Sequence, residues 1–218
     1  MGEIRAVLFD LDGTLVRYHG ITFESSWGAI AGAAGVEAAS RRLLEHYLPR
    51  RDAYAEWVRE DAALLAGIDV ARVTARIFPP PLADGVREAV VELRGRFVLG
   101  IVSSGVDLVA DRVCADLGLD FAVANRLCVS GGRFTGKGEL RVDLWKKADV
   151  VREIAAARGL ALDEICYVGD HVNDLPVMGI VGLGIAVHAK DPALEAASAH
   201  VASGFSEIPR LIAEHAAR

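Results

Sequence analysis

Two aspartates, Asp10 and Asp12, follow directly on the apolar run Ala6–Phe9. In extended chain that spacing points both carboxylates the same way. Close carboxylates repel, so one holds its proton more tightly unless a cation intervenes. Such a pair suits two jobs: an ionised carboxylate attacks as a nucleophile, and a protonated neighbour serves as an acid. Two more runs end in the same kind of chemistry. Residues 97–102 lead into Ser103-Ser104-Gly105, and residues 165–168 lead into Gly169-Asp170-His171-Val172-Asn173-Asp174. A carboxylate cluster with no His or Cys ligand set favours magnesium over zinc. A single turn rich in Asp, Ser and Gly is ordinary turn chemistry, but four aspartates and two serines after three such runs are hard to read that way.

The elements that carry these residues follow from periodicity. The runs 6–9, 97–102, 165–168 and 183–187 are continuous rather than alternating, the pattern of strands buried on both faces. Helical spacing lies between them over 84–93, 106–117 and 148–158. Asp84 is a candidate N-cap, and Gly118 and Gly159 are candidate C-terminal stops. Strands alternating with helices predict an α/β fold: a Rossmann-like, doubly wound, mostly parallel sheet with helices on both faces. Ligands bind such sheets at the carboxyl ends of the strands, where the Asp and Ser residues fall.

Residues 17–79 break the alternation. Helical patterns over 23–34, 38–47 and 52–66 carry no convincing strand, and Pro79-Pro80-Pro81 closes the region with a stiff connector. This reads as a small α-helical insert after the first strand, with 1–16 and 80–218 forming the core. A hairpin is expected over 127–140, turning at Ser130-Gly131-Gly132.

Composition narrows the classes further. A net charge of −6 argues against a general nucleic-acid binder, and no apolar run approaches the roughly 18 residues of a membrane helix. The N-terminal residues do not read as a signal peptide, so a cytoplasmic protein is expected. Cys114, Cys128 and Cys166 have no CxxC spacing and are expected as small core residues rather than disulfide or zinc ligands.

Asp10-Leu11-Asp12-Gly13-Thr14 resembles the first motif of the haloacid dehalogenase superfamily, in the form that marks its phosphotransferases. Ser103-Ser104-Gly105 resembles the second motif, and Gly169-Asp170 with Asn173-Asp174 resembles the fourth. Within the superfamily the chain is most similar to phosphoserine phosphatases, over nearly its whole length. The resemblance implies magnesium-dependent hydrolysis of a small phosphorylated metabolite through an aspartyl-phosphate. Asp10 would be the nucleophile and Asp12 the acid and base. Magnesium would be held by Asp10, the Asp12 carbonyl and Asp170, and phosphate by Ser103, Ser104 and a lysine. Register to Gly169-Asp170 selects Lys147 as that lysine over its neighbour Lys146 and over Lys137. Asn173 and Asp174 would support the site, Asp174 beside the metal or paired with Lys147.

The family pattern is broken in the insert, which the resemblance makes a cap over the site. Where phosphoserine phosphatases carry a glutamate for the substrate ammonium this chain has His19. Where they carry an arginine for the carboxylate it has Asp61, with Arg59, Arg50 and Arg51 nearby. His19 is the candidate substrate contact, and phosphoserine is expected to be a weaker substrate than another small phosphomonoester. The alternatives are a phosphotransferase with an acceptor other than water and a catalytically silent regulatory binding protein. Spacing says nothing of oligomeric state.

Overall fold

Strand β1 (Ala6–Phe9) is apolar at all four positions because both its faces are covered. Val7 and Phe9 belong to one buried cluster, Ala6 and Leu8 to another on the opposite side, as the two-residue period of a strand requires. The computed structural model describes residues 2–21 and 24–216. Phe23, where the first helical pattern begins, lies outside them.

Four helices follow β1: α1 (Ser26–Ala34), α2 (Glu37–Tyr47), α3 (Tyr54–Leu64) and α4 (Val70–Ile77). Then come α5 (Val86–Leu93), β2 (Val98–Val106), α6 (Asp107–Leu117), β3 (Phe121–Ser130), β4 (Arg133–Glu139) and α7 (Lys147–Arg158). The chain closes with β5 (Ile165–Gly169), α8 (Leu175–Met178), β6 (Leu183–Val187), α9 (Pro192–Ala197), β7 (His200–Ala202) and α10 (Ile208–Ala216). The strands form one sheet in the order β4-β3-β2-β1-β5-β6-β7, parallel except for β4. Helices α5, α6 and α10 cover one face, and α7, α8 and α9 the other. The Rossmann-like α/β fold is therefore as the periodicity predicts. Among the described residues no helix is long and apolar enough to cross a membrane.

The order places β1 between β2 and β5, with Phe9 level with Ile101 and Val168. The residues after these three strands therefore emerge side by side. The four-helix insert leaves and re-enters at one point: Val16 pairs with Leu82, and Arg17 N donates to Pro81 O at 2.9 Å. It also leans on the β3–β4 hairpin. Gly67 N donates to Phe134 O at 2.8 Å, and Phe134 N to Ile68 O at 3.0 Å.

Several details depart from the periodicity. Helix α4 is unpredicted, although Asp69 caps it by accepting from Arg72 N at 3.0 Å. The short strand β7 is also unpredicted. Strand β2 continues through Ser103-Ser104-Gly105 to Val106 instead of ending at 102. Asp84 does not cap α5; Gly85 occupies that position, with no side-chain cap. Of the three cysteines only Cys166 is fully buried, because it lies on a central strand, while Cys114 and Cys128 are half-exposed.

The hairpin sits against α3 through glycine. Gly136 has φ +81°, and a Cβ there would stand 2.8 Å from Ala66 Cβ. Gly136→Ala should combine backbone strain with a steric clash and destabilise the protein by more than about 1 kcal/mol, read as a lowered urea midpoint at unchanged m-value.

Candidate active site

Strand β1 ends by delivering Asp10, whose main-chain N–H donates to Val168 O of β5 at 2.9 Å. The chain then turns back at Gly13, φ +91°, so that Val16 N reaches Leu11 O at 2.9 Å. Only glycine fits there: a Cβ on Gly13 would lie 2.2 Å from Asp170 Oδ2. The turn and the end of β5 are thus pressed together, and Thr14 Oγ1 donates to Asp170 Oδ1 at 2.9 Å.

Lys147, the first residue of α7, is fully buried and reaches Asp10 Oδ1 at 3.0 Å and Asp174 Oδ1 at 2.6 Å. Lys146 is exposed at the helix cap and Lys137 is exposed on β4. Asp174 has both oxygens engaged. Oδ1 takes Lys147 and the Tyr167 hydroxyl at 2.9 Å, and Oδ2 faces the main-chain N–H groups of Asp170 and His171 at 3.2 and 3.3 Å. Its partnership with Lys147 is one of the two roles the resemblance allowed.

Asp12 turns the other way, toward the insert. Ser26 at the start of α1 donates to it twice, from its N–H at 2.9 Å and from its hydroxyl at 2.7 Å. The same hydroxyl accepts from Val106 N at 3.0 Å, so Ser26 ties Asp12 to the end of β2. Gly105 leaves room for this: a Cβ there would stand 2.5 Å from Asp12 Oδ2. Ser103 is buried and accepts from Gly105 N at 3.0 Å. The Ser104 carbonyl accepts from Trp27 Nε1 at 3.2 Å, Tyr54 hydroxyl at 2.7 Å and Asn125 Nδ2 at 2.8 Å.

Asp10, Asp12, Ser103, Ser104, Asp170 and Asn173 all line one cavity of about 230 Å³, with Lys147 and Asp174 beneath it. His19 is not among the lining residues; it is largely exposed, 3.9 Å from Glu24, and Glu24 lines the cavity instead. Asp61 also lines it, held by Ser40 Oγ at 2.9 Å and by Trp57.

Sequence reasoning missed Ser26, Asn125, Tyr167 and Lys190. Asn125 is fully buried and joins the Ser104 carbonyl to the main chain at Arg141 and Val142. Lys190 follows β6, and its ammonium comes within 3.2 Å of Asp170 Oδ2. Ser26, Tyr167 and Lys190 belong to no motif with a spacing of its own, so no local signal marks them.

Charge in the site is unbalanced. Asp10, Asp12, Asp170 and Asp174 face Lys147 and Lys190, which leaves two negative charges in excess if all are ionised. Burial accordingly pushes Asp10 and Asp12 up to about 7 and Asp170 up to about 6, against the opposing pull of Lys147 on Asp10, of Ser26 on Asp12 and of Lys190 on Asp170. Oxygens of Asp10, Asp170 and Asp174 lie within 4.8 Å of one another. An all-oxygen cluster with an excess of two negative charges fits a hard divalent cation. Since Asp174 is already saturated, Asp10 and Asp170 are the side chains free to hold one.

A family model for haloacid dehalogenase-like hydrolases matches residues 7–179 of the chain. The chain belongs to the haloacid dehalogenase-like hydrolase family. This hydrolase is 32% identical over 189 residues to the phosphoserine phosphatase of Methanocaldococcus jannaschii, covering 85% of this chain and 86% of that one. It is 32% identical over 219 residues to the Archaeoglobus fulgidus phosphoserine phosphatase, covering 97% of this chain but 62% of the longer relative. A solved phosphoserine phosphatase, captured as a phospho-aspartyl intermediate analogue, superposes with a TM-score of 0.78 at 29% identity. That likeness covers 96% of this hydrolase and 99% of the solved chain.

The raised carboxyls have a consequence for stability. The folded hydrolase holds protons on Asp10, Asp12 and Asp170 that the unfolded chain releases near pH 4. Their contribution to stability is full below about pH 4 and is lost as pH rises through 6 to 7. A divalent cation that competes with those protons should raise Tm more at pH 7.5 than at pH 5. Thermal melts with and without the cation check this, and Asp170→Asn should lose most of the increment.

Proposed function

We propose that this hydrolase cleaves small phosphomonoesters in two steps, with Asp10 as nucleophile and Asp12 as acid and base. The carrying observation is the division of labour between two aspartates two residues apart. Asp10 is paired with the buried Lys147, while Asp12 is paired with uncharged Ser26 in the same cavity. Asp10 sits beside an ammonium and is free to hold a divalent cation; together these would displace the proton that burial otherwise favours and leave a carboxylate to attack. A carboxyl desolvated among neutral donors, with its pKa near 7, can give and take a proton at neutral pH.

In the first step an Asp10 oxygen bonds to phosphorus and the ester P–O bond breaks. The departing oxygen takes the proton from Asp12. In the second, Asp12 takes a proton from water, the water oxygen bonds to phosphorus, and the Asp10–phosphorus bond breaks to release phosphate. Ser103 and the Ser104 N–H are assigned to the phosphate oxygens, with Lys147 neutralising charge on phosphate and nucleophile. Asn173 and Asp174 position the groups around them. Asp10, Asp170 and the Asp12 main-chain carbonyl would hold magnesium, which supplies positive charge against phosphate and keeps Asp10 ionised. The similarity to phosphoserine phosphatases supports the reaction class. The helical insert supplies Glu24, Trp27, Leu48, Tyr54, Trp57, Val58 and Asp61 to the cavity wall, so it is positioned to act as the cap that reads the leaving group.

Asp10→Asn should remain folded and lose essentially all magnesium-dependent release of phosphate from an aryl phosphate; turnover like the wild type would sink the nucleophile assignment. Asp12→Asn should slow turnover by about 10²- to 10⁴-fold. With an aryl ester, whose leaving group needs no acid, this variant should accumulate one phosphoryl group on Asp10, seen by intact-mass spectrometry.

A further inference from the structure

The wall opposite the phosphate floor is apolar. Trp27, Leu48, Tyr54, Trp57, Val58 and Trp145 face the cavity, and the polar ends of the three aromatics from the insert are already engaged. Trp27 Nε1 and the Tyr54 hydroxyl donate to Ser104 O, while Trp57 faces Asp61. Their hydrocarbon is what remains for a ligand. Leu48 is 45% exposed although it lines the cavity, an apolar side chain left partly open to solvent.

Among the described residues no arginine lines this cavity. Arg59 pairs with Glu56 at 3.6 Å, Arg50 Nη1 lies 2.6 Å from His46 Nε2, and the Arg51 guanidinium sits 4.2 Å from the Trp145 ring centroid. The charged residues that the insert does contribute, Glu24 and Asp61, are acidic. The lysine that does line the cavity, Lys190, lies on the Asp170 side, 3.2 Å from Asp170 Oδ2, so on the insert wall a leaving group bearing a carboxylate would meet apolar rings and like charge.

We propose that the site takes phosphate monoesters of apolar alcohols that carry no carboxylate, aryl-alkyl or branched alkyl, and turns over phosphoserine poorly. This rests on the phosphatase reading above and names its substrate class. The room suffices: an apolar cavity of about 150 Å³ admits benzene, and this one is about 230 Å³.

The test compares kcat/KM for benzyl phosphate, 3-methylbutyl phosphate and O-phosphoserine. The two apolar esters leave as alcohols no more acidic than serine, so leaving-group reactivity does not favour them. The wild type should prefer both over phosphoserine by at least about tenfold. Leu48→Arg, at a half-exposed position that should tolerate it, should lower kcat/KM for benzyl phosphate and raise it for phosphoserine. Phosphoserine as the best wild-type substrate, or an unchanged ratio in Leu48→Arg, would overturn the inference while leaving the phosphatase reading intact. Failure to hydrolyse any of the three esters would instead strike the phosphatase reading itself.

Discussion

The arrangement depends on one buried cation. Lys147 is fully buried at the first position of α7, the helix end where a positive charge is least welcome. It is tolerated because Asp10 and Asp174 both touch its ammonium. Their proximity raises its pKa well above the usual lysine range despite burial. Removing one partner of such a buried pair costs about 3–5 kcal/mol, a large share of the roughly 5–15 kcal/mol that holds a domain together. The three-way contact therefore locks the end of β1, the start of α7 and the turn after β5 into one geometry.

A second constraint joins the insert to the sheet. The Ser104 carbonyl receives Trp27 and Tyr54 from the insert and Asn125 from β3, and Ser26 bridges Asp12 to Val106 N. Trp27, Tyr54 and Asp12 among these also border the cavity, so seating the insert and shaping the pocket are one event. The linkers alone, meeting at Val16 and Leu82, would leave the insert free to tilt; the hydrogen bonds at Ser104 and the packing of α3 on β4 set its orientation.

Electrostatics and function meet in the excess of negative charge. A site with more carboxylates than lysines is uncomfortable when empty: burial raises three of its carboxyl pKa values. That discomfort is what makes it a good host for a divalent cation and, beside it, for a proton on Asp12. The same acidity in the wall, from Glu24 and Asp61, disfavours a leaving group with its own carboxylate.

The sequence by itself determined the sheet and its reactive edge. Short continuous apolar runs bounded by turn residues are the pattern of strands covered on both sides, and Asp10, Asp12, Ser103 and Asp170 stand where those runs stop. The family pattern, carried in register from Gly169-Asp170, separated Lys147 from Lys146. Short or weakly patterned elements escaped: β7 is three residues long, and α4 had to be read from Asp69 and a few apolar positions after it. Strand β2 runs through Ser103 to Val106 because β3 pairs with it there, which no local propensity reveals. Only the tertiary structure decided which distant groups complete the site. Ser26, Asn125, Tyr167 and Lys190 reach it from four separate segments, and spacing along a chain carries no information about a contact that folding creates. His19 shows the converse, since its place beside the first motif made it a candidate, but the backbone turns it outward and brings Glu24 to the cavity.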